Sequence, residues 1–430
     1  THPELGSPKR SESTSAGPGM RTMLAILGVL LLQTLVVAGV NTSGADPLAV
    51  AVLCVLLLRN TTIPAIPTVI AMLILTTTLA TAAFITPHLF GVAVSPALLV
   101  RDAAKLLMSY IYFILGYALI RSGWMDTVIR WYSRAGLLVA AVGATWAFLG
   151  LGAMRDTLFY GDVRFRGISS DPNMCAILLV ASLPYFARSN GKAPLTIIAY
   201  LTVLAGVLAT GSKTGFVVYG LYAAVTCARG MGSAWRRPKA ALVVLLLTGV
   251  ATSLLLLAAL GFVGGLTAHS VEGNFGASRA TEVLANPAQA LTESGSGRLE
   301  AFSTAVSIIA ASPLAGVGIG TYSDVASALS GSPVIAHNTY LQLAAEWGLP
   351  LAVGFVVLTL LLVTAALTPS TDHAPETPIL ADMCLILLAG GLAVSLNNVR
   401  LFWLSLGGVA AASRGAPPHS NRRVRTRPMS

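Results

Sequence analysis

The chain has 430 residues, of which 55% are hydrophobic and 10% charged, and its mean hydropathy is +0.77. Soluble globular domains carry about 25% charged residues, so this composition argues against a water-soluble enzyme. The formal net charge is +10, and because most of the excess Lys and Arg lies in short loops and tails, membrane topology accounts for it without nucleic acid as a partner.

The apolar residues come in long runs. Runs of roughly 18 residues or more, each long enough to cross about 30 Å of hydrocarbon, recur from Met23 to Gly408. We interpret the first run as a transmembrane helix rather than a signal peptide, since it lacks a convincing cleavage site and many spans follow. The sequence therefore predicts an all-α polytopic membrane protein with about twelve transmembrane helices, at 23–40, 47–58, 66–86, 98–120, 135–151, 173–188, 194–210, 214–228, 240–262, 347–367, 379–397 and 401–413.

These spans divide the chain into five segments: a disordered tail over 1–20, nine helices over 21–263, a large loop over 264–346, three helices over 347–413 and a basic tail over 414–430. With the N-terminus in the cytoplasm, about two thirds of the Lys and Arg residues fall on the cytoplasmic side, as the positive-inside rule requires. This predicts a multi-pass protein of the cytoplasmic (inner) membrane with both termini cytoplasmic. The large loop and the loop over 152–171 are then extracytoplasmic.

The positive-inside rule disfavours Lys and Arg on outer loops. The cations found there therefore indicate an anionic ligand at the outer membrane surface. The candidates are Arg164 and Arg166 in RFRGISSDPN, Lys213 in the turn TGSKTG, and Arg400 near Asn397 and Asn398. Each also has a structural interpretation: Asp-Pro-Asn is a helix start, and a single flanking cation is commonly a topology or snorkelling residue.

The large loop contains a predicted amphipathic helix in SGSGRLEAFSTAVSIIAASP. Phe302, Val306, Ile309 and Ala310 recur on one helical face, expected to lie on the membrane or on the bundle. Arg298 falls in its first turn, where free backbone N–H groups also favour an anion. The glycines of the following GVGIGTY allow a backbone path that side chains would block. No strand precedes them, so a nucleotide site is not indicated.

A histidine follows in AHNTYLQLAAEWGLP. From Asn338 the pattern is helical, which puts His337 at or just before a helix N-terminus, and Trp347 is expected at the membrane interface. An ordinary loop histidine is the alternative. At an outer surface beside an arginine-bearing loop, however, His337 can accept a proton from a sugar hydroxyl.

The four cysteines suggest neither a disulfide framework nor a metal site. Each falls inside or at the edge of an apolar run, without CxxC or His-rich spacing: Cys54, Cys175, Cys227 and Cys384.

Together, these pieces resemble the O-antigen ligase and polymerase superfamily. The resemblance covers about Arg164 to Trp403 and is strongest in SGSGRLEAFSTAVSIIAASPLAGVGIGTY and HNTYLQLAAEWGLPLAVGF. It implies a bundle related to the GT-C glycosyltransferases. It also implies transfer of a glycan from a polyprenyl-diphosphate donor, such as undecaprenyl diphosphate, to a glycan or lipid-glycan acceptor, without metal, nucleotide or other cofactor.

Residue by residue, the resemblance matches His337 to the family's loop histidine and Arg298 to its loop arginine. Where the family usually has arginine, in a short turn, this chain has Lys213, which keeps the charge and loses the bidentate geometry.

The chemistry agrees with these assignments. A sugar diphosphate is a good leaving group, so catalysis needs cations at the developing charge and a base on the attacking hydroxyl. Arg298, Lys213 and one of Arg164 or Arg166 are the candidate cations, and Arg400 is a further substrate-binding candidate. His337 is the candidate base or orienting group.

Other classes remain open. A transporter or flippase of a polysaccharide precursor would use intramembrane charges, for which the candidates are Asp382 and the cluster Arg101, Asp102 and Lys105, although no inverted repeat is evident. A pore or scaffold would not need the histidine and the cations on one side. Within the superfamily, no motif separates a ligase from a polymerase or from a protein O-oligosaccharyltransferase.

Overall fold

The computed structural model describes residues 16–37, 40–59, 61–149, 154–161, 163–188, 193–234, 298–331, 335–368 and 373–412, with the single positions 151, 333 and 370. Both predicted tails lie almost entirely outside these residues. The predicted span at 240–262 and the first part of the large loop, 264–297, are also outside them.

The described chain is mainly helical. Its α-helices are α1 (Pro18–Leu30), α2 (Ala45–Leu58), α3 (Ala65–Ala80), α4 (Thr86–Phe90), α5 (Pro96–Ser122), α6 (Met125–Leu149), α7 (Arg155–Leu158), α8 (Pro172–Val180), α9 (Leu183–Arg188), α10 (Ala193–Thr210), α11 (Lys213–Ala234), α12 (Arg298–Ala311), α13 (Tyr322–Ser330), α14 (Thr339–Trp347), α15 (Leu349–Leu367), α16 (Thr377–Gly390) and α17 (Arg400–Ala412). A π-helical turn, Thr81–Ile85, joins α3 to α4. Two short antiparallel hairpins complete the elements: β1 (Leu35–Val37) with β2 (Val40–Thr42), and β3 (Phe159–Tyr160) with β4 (Arg164–Phe165).

Within the described residues, five helical segments are long and apolar enough to cross a membrane: Ala65–Phe90, Pro96–Ser122, Met125–Leu149, Ala193–Thr210 and Leu349–Leu367. Each overlaps a predicted span, so the prediction of a helical membrane protein is confirmed. Further apolar helices are shorter, with 10–17 residues. The count of about twelve spans and the relation to GT-C enzymes stay predictions.

Three predicted spans differ in detail. The span at 379–397 is helical only as far as Gly390, where α16 ends. The first was expected to be helical over 23–40, whereas α1 ends at Leu30. Polar side chains explain the end: Gln33 Oε1 accepts a hydrogen bond from Gly44 N at 2.9 Å, and Thr34 Oγ1 donates to Ser169 Oγ at 3.2 Å. The span at 173–188 is broken into α8 and α9, because Pro184 near the start of α9 has no N–H to continue the ladder.

Helix α17 is buried along its whole length and packs against α5 and α16. Two glycines allow the contact with α5. A Cβ at Gly407 would lie 1.9 Å from the Phe113 carbonyl oxygen, and a Cβ at Gly116 would lie 1.9 Å from the Leu404 carbonyl oxygen. Small residues allow such close approach of helices in membranes.

We therefore expect Gly407→Ala to destabilise the protein by an amount at the upper end of about 1–3 kcal/mol, since the new methyl group meets backbone that cannot rotate away. Thermal unfolding in detergent measures this. The matched control is Gly354→Ala in α15, where nothing lies within 4 Å of the added Cβ. Equal melting temperatures for the two variants would contradict the packing described.

Helices α5 and α17 begin at the same end of the bundle, where Arg101 and Lys105 of α5 and Arg400 of α17 line one cavity. We call this the cavity end. Asp382 of α16 lies toward the opposite end, because the neighbouring Leu380 packs against Gly408, about 12 Å along α17 from Arg400.

Asp382 is part of an ion cluster. Its carboxylate lies 2.6 Å from Arg188 Nε and 2.8 Å from Arg229 Nη1, and it accepts a hydrogen bond from the Tyr222 hydroxyl at 3.2 Å. This buried carboxylate therefore ties α9, α11 and α16 together.

The glycine-rich segment after α12, residues 316–320, passes very close to the backbone of other helices. Its glycines have φ of 67°, 80° and 77°: Gly316, Gly318 and Gly320. A Cβ at Gly318 would lie 2.4 Å from the backbone N of Ala82 in the π-helical turn, so side chains would block the path, as predicted. Val317 N donates to Ala345 O at 2.8 Å and Gly318 N to Glu346 O at 2.9 Å. These two amides serve the fold rather than a phosphate.

Helix α12 packs against α13 and α14. Ala301, Ala305 and Ile308 are buried, with relative exposures of 0–1%, whereas Val306 of the predicted apolar face is 54% exposed. Val306 therefore does not pack on the bundle, and contact of the predicted face with the membrane stays a prediction.

Candidate active site

A polar cavity of about 150 Å³ lies at the cavity end, between α5, α13, α14 and the segment before α17. Helix α5 contributes Arg101, Asp102 and Lys105 to its wall. The Asp102 carboxylate lies 2.9 Å from Arg101 Nε and 2.7 Å from Lys105 Nζ. Because one carboxylate serves two cations, this cluster keeps a net positive charge.

Arg400 lines an adjoining cavity of about 140 Å³, which shares Arg101 and Lys105 with the polar cavity. Its guanidinium clamps Asp46, with Nη2 2.9 Å from Oδ2 and Nε 3.2 Å from Oδ1. The Tyr112 hydroxyl donates to the same carboxylate at 3.0 Å. Arg400 thus ties α17 to α2, and much of its charge is compensated at that point.

A second group of polar residues joins the loop before α8 to the turn before α11. Arg164 donates from Nε to Thr210 O at 3.1 Å and from Nη2 to Asn173 Oδ1 at 2.9 Å. Ser212 Oγ donates to the same Asn173 oxygen at 3.0 Å, and the adjacent Lys213, the first residue of α11, is only 6% exposed. The structure therefore brings Arg164 to the turn that carries Lys213, across about fifty residues of sequence.

Arg166 has a different environment. Its guanidinium donates to two carbonyls of its own loop, Thr157 O and Asp156 O, both at 3.3 Å and both exposed. Asp171 caps α8 by accepting from the amides of Asn173 and Met174 at 2.8 and 3.1 Å. Of the two candidate arginines, Arg164 is the one that reaches the turn before Lys213.

His337 has φ of 48°, a left-handed conformation that costs a non-glycine residue roughly 1–2 kcal/mol. The next two residues hold it there. Asn338 caps α14 by accepting from the amides of Tyr340 and Leu341 at 2.9 and 3.0 Å, and Thr339 N donates to Gly391 O at 2.8 Å. Strained residues that their surroundings fix in this way cluster at functional sites.

The histidine and the Arg164 group lie at the same end of the bundle. Gly391, which bonds to Thr339, follows Gly390, and a Cβ at Gly390 would lie 2.8 Å from the Ile177 side chain. Ile177 is one helical turn, about 6 Å, from Asn173 along α8. The fold therefore gathers residues from distant parts of the sequence at the cavity end.

Glu346 is a site residue that the sequence analysis did not single out. It is 9% exposed, lines the polar cavity, and accepts a hydrogen bond from Gln342 Nε2 at 2.8 Å. Burial raises the pKa of this carboxyl to about 7, and the charge of Asp102 adds to the effect. The group is therefore present in both protonation states near neutral pH. The sequence signal for this site residue is the polar pair Gln342 and Glu346, four residues apart on a largely apolar helix.

Trp347 is buried within the protein. It is 4% exposed, and its ring packs against Phe355 with centroids 5.6 Å apart. The ring therefore belongs to the core beside the polar cavity, and its depth in the membrane stays a prediction.

Arg298 is the first residue of α12. Its side chain lies outside what the structure describes, so its contacts stay a prediction.

The long apolar helices indicate an integral membrane protein. The cavity lined by Arg101 and Lys105 is a polar site at one end of its helix bundle. Residues 198–356 match the family model described as O-antigen ligase, a segment that contains Lys213, Arg298 and His337. The match covers somewhat more than a third of the chain and supports the predicted resemblance to the O-antigen ligase and polymerase superfamily. No curated protein matches the chain.

Proposed function

We propose that this protein transfers or polymerises glycan from a polyprenyl-diphosphate donor onto an acceptor hydroxyl in cell-surface polysaccharide synthesis. The observation that carries the proposal is the family match over 198–356, since it includes the candidate base and two of the candidate cations. The cavity end is proposed to face away from the cytoplasm, at the outer surface of the cytoplasmic membrane.

In the proposed reaction, the acceptor hydroxyl oxygen attacks the anomeric carbon of the donor sugar. The bond from that carbon to the diphosphate oxygen breaks, and the proton of the hydroxyl passes to His337. Negative charge grows on the departing diphosphate, where fixed cations act most strongly because they need no reorganisation. Lys213, Arg164 and Arg298 are proposed for this role. Arg400 is proposed to hold the first turn of α17 in place beside the substrate.

The proposal fits the arrangement of two cations from distant parts of the sequence. Arg164 bonds to Thr210 O in the turn before Lys213, so both side chains would contact the same diphosphate.

The test is a transfer assay with the purified full-length chain in liposomes, given a polyprenyl-diphosphate oligosaccharide and candidate acceptors. The expected result is glycan transfer that survives EDTA. The product then separates ligase, polymerase and protein O-oligosaccharyltransferase. Absence of transfer with every donor, together with flux of the donor across the liposome membrane, would replace the proposal with a flippase.

A further inference from the structure

Two residues that line the polar cavity each carry a buried polar atom with no hydrogen-bond partner within the described chain. These atoms are the Tyr322 hydroxyl and Gln342 Oε1. Tyr322 is 4% exposed. The orientation of the Gln342 amide follows from its neighbour, because only the NH₂ group can donate to Glu346 Oε1, at 2.8 Å. Buried polar groups are almost always bonded, so these atoms mark a place where an external group completes the bonding.

The chemistry of the wall selects the kind of group. Gln342 Oε1 is an acceptor only, so the occupant must donate at least one hydrogen bond, and Glu346 accepts a further one when it is ionised. A phosphate at neutral pH is largely deprotonated and has almost no hydrogen-bond donors. A sugar has hydroxyls that both donate and accept. Arg101 and Lys105 line the same cavity and can donate to its oxygens.

The shape of the cavity agrees with a sugar. The buried side chain of Trp347 supplies an apolar part of the wall, and carbohydrate rings have an apolar face as well as polar edges. The volume of about 150 Å³ is below the roughly 300 Å³ at which pockets begin to hold drug-sized ligands. The cavity therefore admits one ring rather than an oligosaccharide.

We propose that the polar cavity binds one sugar residue of the acceptor glycan, with its hydroxyls bonded to Tyr322, Gln342 and Glu346. The inference rests on the proposed function and specifies where its acceptor binds. Ile335, two residues before His337, lines the same cavity, so a ring bound there lies beside the proposed base.

The first test is binding without donor. Saturation-transfer NMR of the full-length chain in detergent would use methyl glycosides of glucose, galactose, mannose, rhamnose and N-acetylglucosamine as probes. We expect signal for at least one glycoside, and we expect Tyr322→Phe and Gln342→Leu each to weaken it by about 5-fold, the effect of one hydrogen bond. Tyr322→Phe removes a hydroxyl without a partner in the described chain, so the fold loses no hydrogen bond seen there.

The matched control is Tyr132→Phe. The Tyr132 hydroxyl is buried elsewhere in the bundle and donates to Leu178 O at 2.6 Å, so this variant should lower the melting temperature and leave glycoside binding unchanged. Wild-type protein that gives no glycoside signal, or Tyr322→Phe and Gln342→Leu variants that bind as well as wild type, would overturn the inference. So would displacement of the glycoside by inorganic diphosphate, which would make the cavity an anion site.

Transfer kinetics separate this inference from the proposed function. If wild type transfers glycan, Tyr322→Phe should raise the acceptor KM and leave the donor KM unchanged, and an unchanged acceptor KM would overturn the sugar site alone. If wild type transfers nothing while glycoside binding depends on Tyr322 and Gln342, the proposed function fails and the sugar site remains.

Discussion

Replacing His337 by asparagine is expected to lower the kcat of glycan transfer by about 10²- to 10⁴-fold, the range that a positioned general base contributes. Asparagine suits the position because the φ of His337 is 48°, and Asn tolerates the left-handed region better than other non-glycine residues. The variant should therefore fold and bind donor normally while lacking the proton acceptor.

Initial rates with a labelled polyprenyl-diphosphate glycan measure this effect, and the melting temperature reports the fold. His88→Asn is the matched control, because His88 is an exposed histidine of α4 and should keep the wild-type rate. A His337→Asn enzyme with near wild-type kcat would show that His337 is not the base.

Replacing Lys213 by methionine is expected to lower kcat/KM by about 10²- to 10³-fold, the loss seen when one preorganised charge stabiliser is removed. Methionine fills nearly the same volume as lysine at this buried position, so the fold should persist. Lys213→Arg should retain much of the activity, because it keeps the charge.

Arg164→Met and Arg166→Met form the matched pair for this site. Arg164 bonds to Thr210 and Asn173 beside Lys213, whereas Arg166 bonds to exposed carbonyls of its own loop. We expect a large loss of kcat/KM for the first variant and a small one for the second. Equal losses would show that the diphosphate contacts are not arranged around Lys213.

Local patterns in the sequence predicted several features that the structure confirms. The apolar runs predicted helical spans, since backbone groups in hydrocarbon must bond within the segment. Asp171-Pro172-Asn173 predicted a helix start, and Asp171 caps α8. The pattern after Asn338 predicted a helix start at that residue, and Asn338 caps α14. Each of these features depends on residues that are continuous in the sequence, over one helical turn for the caps and over one span for the apolar runs.

Other features were missed because they depend on neighbours far along the chain. Arg101, Asp102 and Lys105 suggested a transport site by their sequence, and only the tertiary structure, in which α5, α13 and α14 line one cavity, shows them in the wall of the polar cavity. Glu346 was not singled out from the sequence, and only the tertiary structure shows its burial beside that cavity, which raises its pKa to about 7. A sequence pattern does not show which side chains of a helix become buried when the helices pack.

The sequence by itself determined that the chain is a helical membrane protein and which family residues 198–356 resemble, because these follow from composition, periodicity and short motifs. Only the tertiary structure decided that Arg164 rather than Arg166 reaches the turn before Lys213, that Arg400 clamps Asp46, and that Tyr322, Gln342 and Glu346 face one cavity. The physical reason is that desolvation and hydrogen bonding between distant segments depend on how the helices pack.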